Sequence, residues 1–185
     1  DDEMLPDAIS NFAKYIEKIP NADMFLAEVV VNNAGNKKLS RTYQDGYVKN
    51  PFKEHVFGHL YQCSGTTVYR KSICLQYSFD ERVRRYEDLQ RIFKLYRHFS
   101  LYLCHVPVAQ VNLEYSSASH ARKNIKEDFL GYLDFKGKSF WETMALYSFF
   151  LGEREYYGEQ CKKLYPWLYH RYDWLLIYKL IGCYK

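Results

Sequence analysis

Met24-Phe25-Leu26-Ala27-Glu28-Val29-Val30-Val31 is the stretch that decides the fold class. It is nearly continuous in apolar and β-branched residues, with a single charge, Glu28, inside it. A strand wetted on one face alternates apolar and polar residues, whereas one covered on both faces does not. The run therefore predicts a largely buried strand. Upstream, Pro6 suits a first helical turn, where a missing N–H loses no partner. Ile9, Phe12, Ala13 and Ile16 recur at helical spacing and predict an amphipathic helix over residues 6–18, stopped by Pro20 and Asn21. Downstream, Asn32-Asn33-Ala34-Gly35-Asn36 is turn chemistry. A more polar strand through Leu39 and Tyr43 would complete a hairpin.

Further along, residues 44–64 show no clean period and read as a binding loop. Thr66–Tyr69 predicts a short strand, and Lys71–Leu75 a helical turn. Tyr86–Arg97 is the clearest amphipathic helix, with Leu89, Ile92, Phe93 and Tyr96 in one stripe. Leu101–Val111 predicts a strand, with Pro107 at an edge or end of it. A polar connection at Tyr115–Ser119 follows. From His120 onward the pattern is helical: Ser139-Phe140-Trp141-Glu142 fits a capping box, Pro166 breaks the next helix, and Trp167–Leu180 predicts the last. The expectation is an α/β fold. Residues 1–119 would form a mixed sheet with flanking helices, and residues 120–185 a helical C-terminal extension.

The 185 residues, 48% apolar and 18% aromatic, exclude a disordered chain. A net charge of +4 is too mild for a phosphate-tracking surface, so no nucleic-acid partner is expected. Five scattered cysteines argue for a reducing compartment and against a disulfide framework or structural zinc. No run of about 18 uncharged apolar residues appears. A cytoplasmic location is expected, at the inner face of the membrane if the aromatic tail makes peripheral contact with it. The chain opens Asp1-Asp2-Glu3-Met4 without an initiator methionine. It is therefore expected to be part of a longer polypeptide.

Three clusters could carry chemistry. Asp1, Asp2 and Glu3 could hold a divalent cation that bridges to a diphosphate. On spacing alone they read better as acids ahead of a helix N-terminus, favoured by its dipole. Glu87 and Asp88 fall in the first turn of the amphipathic helix. A carboxylate held there near a cleft can act as a general base, or it can simply complement the dipole and pair with Arg84. His55 and His59 stand at i,i+4, but no Glu follows the first histidine and Gly58 weakens a helix, so two loop histidines are the better reading. No Gly-x-Ser-x-Gly, phosphate-binding Gly-rich loop or dinucleotide fingerprint is present. Trp141, Phe149, Phe150, Tyr156, Tyr157, Trp167, Tyr169, Trp174 and Tyr178 read mainly as core, though Tyr and Trp among Lys and Arg also suit a membrane interface or a partner groove.

Taken in order, these residues resemble the inverting nucleotide-sugar glycosyltransferases of family 2, which have the GT-A fold. Asp1-Asp2-Glu3-Met4-Leu5-Pro6 is similar to the tail of that family's aspartate motif and the helix opening after it. Ser64-Gly65-Thr66-Thr67-Val68-Tyr69-Arg70-Lys71 is similar to its small-residue segment ending in a basic residue. Phe79-Asp80-Glu81 and Glu87-Asp88 are similar to its Phe-Asp-Glu and Glu-Asp pair. The resemblance covers residues 1–119. It implies a divalent metal (Mn or Mg) held by Asp1 and Asp2, and Asp88 as the base. It also implies Glu87, His59 and Gly65 on the acceptor side. Its expected partners are a nucleotide-sugar donor and a saccharide or lipid-linked acceptor, in cell-surface polysaccharide or glycolipid synthesis. The family's nucleotide-binding strands precede the aspartate motif, so this portion by itself is expected to be inactive or nearly so. A sheet lacking those strands would also expose an edge that favours a homo-oligomer. The competing expectation is a non-catalytic interaction or membrane-peripheral module, in which the acidic pairs are helix caps.

Overall fold

The computed structural model describes residues 2–63, 65–113 and 124–169. The chain divides into two compact units. The sheet unit takes Asp1–Pro51, Leu60–Ser78 and Lys94–Ser117. The helical unit takes Phe52–His59, Phe79–Phe93 and Ala118–Lys185.

The sheet unit is built on one parallel pair. Strand β2 (Met24–Asn33) runs beside β6 (Leu101–Asn112), from Met24 opposite Leu101 to Asn32 opposite Asn112. Four short antiparallel strands complete a six-stranded mixed sheet. Strands β3 (Asn36–Leu39) and β5 (Thr67–Tyr69) share the free side of β2. On the free side of β6 lie β1 (Asp2–Met4) and β4 (Gly46–Tyr47). The α/β class predicted from Met24–Val31 is the class observed. Residues 24–29 are all buried, which is why that run carries no alternation. The β2–β3 hairpin closes through Ala34 and Gly35, both at positive φ (50° and 83°). That is the two-residue turn whose twist matches the strands. The Asn32 side chain accepts the Gly35 N–H at 3.1 Å.

Helix α1 (Ala8–Lys18) confirms the element but corrects its face. Ile9, Ala13 and Ile16 are exposed. The inward row is Ala8, Phe12, Tyr15 and Ile19, packed on Phe25, Ala27, Val29 and Tyr102. Two overlapping rows have helical period here, and Phe12 belongs to both. The row that wins carries Tyr15, whose hydroxyl donates to Asp45 at 2.7 Å, so it gains a hydrogen bond that Ile9 and Ile16 cannot supply. Full burial of Phe12 is worth roughly 1.5–3 kcal/mol.

The stretch 44–64 is not structureless. It contains β4 and helix α2 (Pro51–Val56), which starts on the proline as a first helical residue can. Gly58, at φ 70°, ends the helix. The His59 N–H reaches the Glu54 carbonyl and the Gly58 N–H the His55 carbonyl, the paired bonds of a Schellman stop. The sheet unit also holds helix α3 (Lys71–Gln76), close to the predicted turn.

Helix α4 (Glu87–Leu95), whose residues through Phe93 belong to the helical unit, begins one residue later than predicted, and Ile92 and Phe93 are buried. Helix α5 (Phe140–Tyr157) opens as the capping-box reading requires: the Ser139 hydroxyl accepts the Glu142 N–H at 3.2 Å. Helix α6 (Glu159–Leu164) stops just before Pro166. The core is a chain of rings: Phe52–Phe93 at 5.5 Å, Phe93–Phe129 at 5.9 Å and Phe129–Phe149 at 5.1 Å. Edge-to-face and offset pairs of this kind add to plain area burial. Phe150 and Tyr157 are buried as the core reading of the tail expects, while Tyr156 and Trp167 are exposed. Trp174, Tyr178 and most of the predicted last helix lie outside the described residues. Among the described residues no helix is long and apolar enough to cross a membrane.

Candidate functional site

The helical unit spends much of its polar material on the approach to Glu87 and Asp88. Tyr86, the residue before α4, stands at φ 56°. For a residue with a Cβ this left-handed conformation costs about 1–2 kcal/mol and survives only where the surroundings impose it. They do so here. The Tyr86 hydroxyl donates to Glu153 at 2.8 Å, and its ring meets Phe149 edge-on at 5.0 Å. Arg85 Nη2 donates to the same hydroxyl at 3.0 Å, and its Nε faces Asp128 Oδ2 at 3.2 Å. Asp128 is 1% exposed and fully engaged. Its Oδ1 accepts the Leu130 N–H at 2.7 Å, and its Oδ2 accepts the Tyr157 hydroxyl at 2.6 Å. Burial, and then the neighbouring Asp128 carboxylate, raise the Tyr157 pKa well above the ordinary phenol. The backbone closes the same connection, since the Arg84 and Arg85 N–H groups both donate to the Glu127 carbonyl.

That framework delivers Glu87 and Asp88 into the first turn of α4, both half-buried. Asp88 Oδ1 accepts the Leu89 N–H at 2.7 Å. Arg84 lies ahead of the helix, so the i,i+4 helical pairing with Asp88 does not arise in that form. His59 belongs to the same unit. Its Nδ1 is 2.6 Å from Glu54 Oε2, and its ring stacks near Phe57 at 5.9 Å. Because α2 ends at Val56, His55 and His59 do not share a helical face, and the loop-histidine reading holds for His59.

The sheet unit holds the other predicted residues. Asp2 is exposed in β1, opposite Val111, so the opening acids form an edge strand rather than a helix cap. Asp1 lies outside the described residues. Among the described residues no group of three or more His, Cys, Asp or Glu side chains is placed to hold a metal ion. At Gly65 an added Cβ would meet Ala109 at 3.6 Å, an ordinary contact, so packing alone does not demand glycine.

Sequence reasoning missed one constellation. Where β2 and β6 lose register, between Ala27, Glu28 and Val29, the irregularity brings His105 and Glu28 together. Glu28 is 2% exposed; its Oε1 accepts the Tyr43 N–H at 2.7 Å and faces His105 Nδ1 at 2.9 Å. Asp45 Oδ1 takes both the His105 N–H (2.8 Å) and the Tyr15 hydroxyl (2.7 Å). The available signals were a lone carboxylate inside an apolar run and a proline inside a strand.

Hydrogen bonding to Glu28, then the Glu28 charge, raise the His105 pKa above its usual 6.5; burial opposes them, and the Asp45 charge adds a lesser rise. The folded state therefore holds this proton more tightly than the unfolded chain. Its contribution is complete below about pH 6.5 and fades as pH rises through the elevated value. Urea midpoints followed by circular dichroism should fall across that window in the native protein, and fall less in His105→Gln. Equal pH slopes in the two proteins would overturn the assignment.

No protein-family model matches the chain, and no curated protein matches it.

Proposed function

We propose that this chain is the acceptor-side portion of an inverting nucleotide-sugar glycosyltransferase of GT-A type, serving cell-surface polysaccharide or glycolipid synthesis. The observation that supports the reading best is the strained Tyr86 turn, held by the Arg85–Asp128–Tyr157 and Tyr86–Glu153 contacts, which sets Glu87 and Asp88 at a helix start. A buried network that costs this much desolvation serves positional accuracy better than it serves stability. In the proposed reaction Asp88 takes the proton of an acceptor hydroxyl as its oxygen attacks the anomeric carbon. Glu87 and His59 contact the acceptor. Asp88 is half-buried, open enough to meet a hydroxyl yet held at Oδ1 by the Leu89 N–H. A divalent cation, with Asp2 and Asp1 as its protein ligands, would neutralise charge on the departing diphosphate.

Calorimetry tests the reading on the protein that carries this chain at its native length. Manganese with a panel of nucleoside diphosphates should reveal one that binds only when metal is present, and Asp2→Asn should weaken it at least tenfold. Absence of binding across the whole panel, with metal present, favours the non-catalytic interaction module instead.

A further inference from the structure

The helical unit contains an open cleft of about 610 Å³ that the glycosyltransferase reading does not use. Its size lies in the range of small-molecule sites. Two 3₁₀ turns, Ile125–Glu127 and Phe129–Tyr132, supply one part of its lining, and α6 supplies another.

The lining has a definite chemical character. Lys126 and Lys163 contribute two cations, Asn124 and Gln160 two amides, and no aspartate or glutamate lines it among the described residues. Tyr132 and Leu164 supply apolar surface. The Tyr132 hydroxyl donates to the Lys126 carbonyl at 2.7 Å, which locks the ring. Arg82 lies over the Tyr132 ring at 4.8 Å, with its charge paired to Asp80 at 2.8 Å. Two acids adjoin lining residues in sequence: Glu127 is engaged by the Asn124 amide at 3.4 Å, and Glu159 by the Lys162 ammonium at 3.4 Å.

The wall is also preformed. A Cβ on Gly131 would stand 2.2 Å from the Ile125 carbonyl oxygen, so only glycine lets the two turns close on each other. Asn124 caps the first turn by accepting the Lys126 N–H at 3.0 Å, and Gln160 reaches across from α6 to accept the Ile125 N–H at 3.3 Å. The lining is thus tied together before any ligand arrives, which lowers the ordering cost of binding.

We propose that this cleft binds a small organic phosphate, its phosphate group on Lys126 and Lys163 and its apolar body against Tyr132 and Leu164. A phosphate monoester carries close to two negative charges at neutral pH. Two lysines answer those charges, and a cleft of this size leaves room for a body that inorganic phosphate lacks. The site is independent of Asp88 and Asp2, so its failure leaves the glycosyltransferase reading standing.

The probe is 1-naphthyl phosphate, titrated by calorimetry into the native-length protein, with 1-naphthol and inorganic phosphate as controls. Binding at sub-millimolar concentration is expected, at least tenfold tighter than either control. Lys126→Ala and Lys163→Ala should each weaken it at least fivefold, with tryptophan fluorescence and circular dichroism unchanged. Absence of binding, or equal binding by the double variant, overturns the proposal. So does flotation on phosphatidylcholine vesicles containing phosphatidic acid that depends on both lysines while 1-naphthyl phosphate fails to bind, because the occupant is then a membrane surface.

Discussion

Asp128→Ala is expected to destabilise the helical unit by about 3–5 kcal/mol, the usual consequence of removing one partner from a buried ion pair. The alanine deletes the carboxylate facing Arg85, the acceptor of the Tyr157 hydroxyl and the cap of the Leu130 N–H at one stroke. Arg85, 16% exposed in its side chain, keeps its charge without that counter-ion. Trp141 and Trp167 belong to the helical unit. Tryptophan fluorescence in a urea titration therefore reports on that unit. With a typical slope of roughly 1–3 kcal/mol per molar urea, the midpoint should drop by a molar unit or more. Asp128→Asn should fall between alanine and the native protein, since it retains the oxygen that accepts from Leu130 and loses the charge. A loss below about 1 kcal/mol for the alanine variant would mean that the network is not the clamp described above.

Under the proposed reaction, Asp88→Asn should lower the turnover of sugar transfer by about 10²–10⁴-fold, the range associated with losing a positioned general base. The substitution is nearly isosteric, and its side-chain oxygen can still accept the Leu89 N–H, so folding should be untouched. The effect should sit in kcat and leave the KM for the donor near its native value, because in the proposed reaction the proton removed belongs to the acceptor. Glu87→Gln should instead raise the KM for the acceptor. The assay requires the native-length protein and its donor, measured as sugar transferred per unit time. Turnover within a few-fold of native would remove Asp88 from the mechanism and leave Glu87 and Asp88 as dipole-complementing acids.

How far the sequence discloses these features depends on the range over which each is encoded. Strand β2 was readable because burial on both faces leaves a purely local signature, and the opening of α5 was readable because a cap lies within three residues of what it caps. The inward face of α1 was not. Ile9-Phe12-Ala13-Ile16 and Ala8-Phe12-Tyr15-Ile19 are both periodic, and Asp45, far along the chain, decides between them. Residues 44–64 concealed α2 because six residues give too little period to detect, although Pro51 marked its start. Strand β1 was read only as a run of acids, since its strand character comes wholly from pairing with Val111, Gln110 and Ala109. The site divides in the same way. The position of Glu87 and Asp88 at a helix start is legible locally, and α4 begins at Glu87. The Arg85–Asp128 and Glu28–His105 pairs join residues that no local pattern connects.

The parallel β2–β6 pair has a consequence for how the chain is made. Glu28 and His105 are 77 residues apart, so the central rung of the sheet closes only after a long excursion of chain. Loop entropy makes such closures late and slow. On the ribosome β2 emerges before β6, greasy on both faces and without that neighbour. Chaperone capture, or clumping when expression outruns it, should therefore track the interval before the segment 101–112 leaves the exit tunnel.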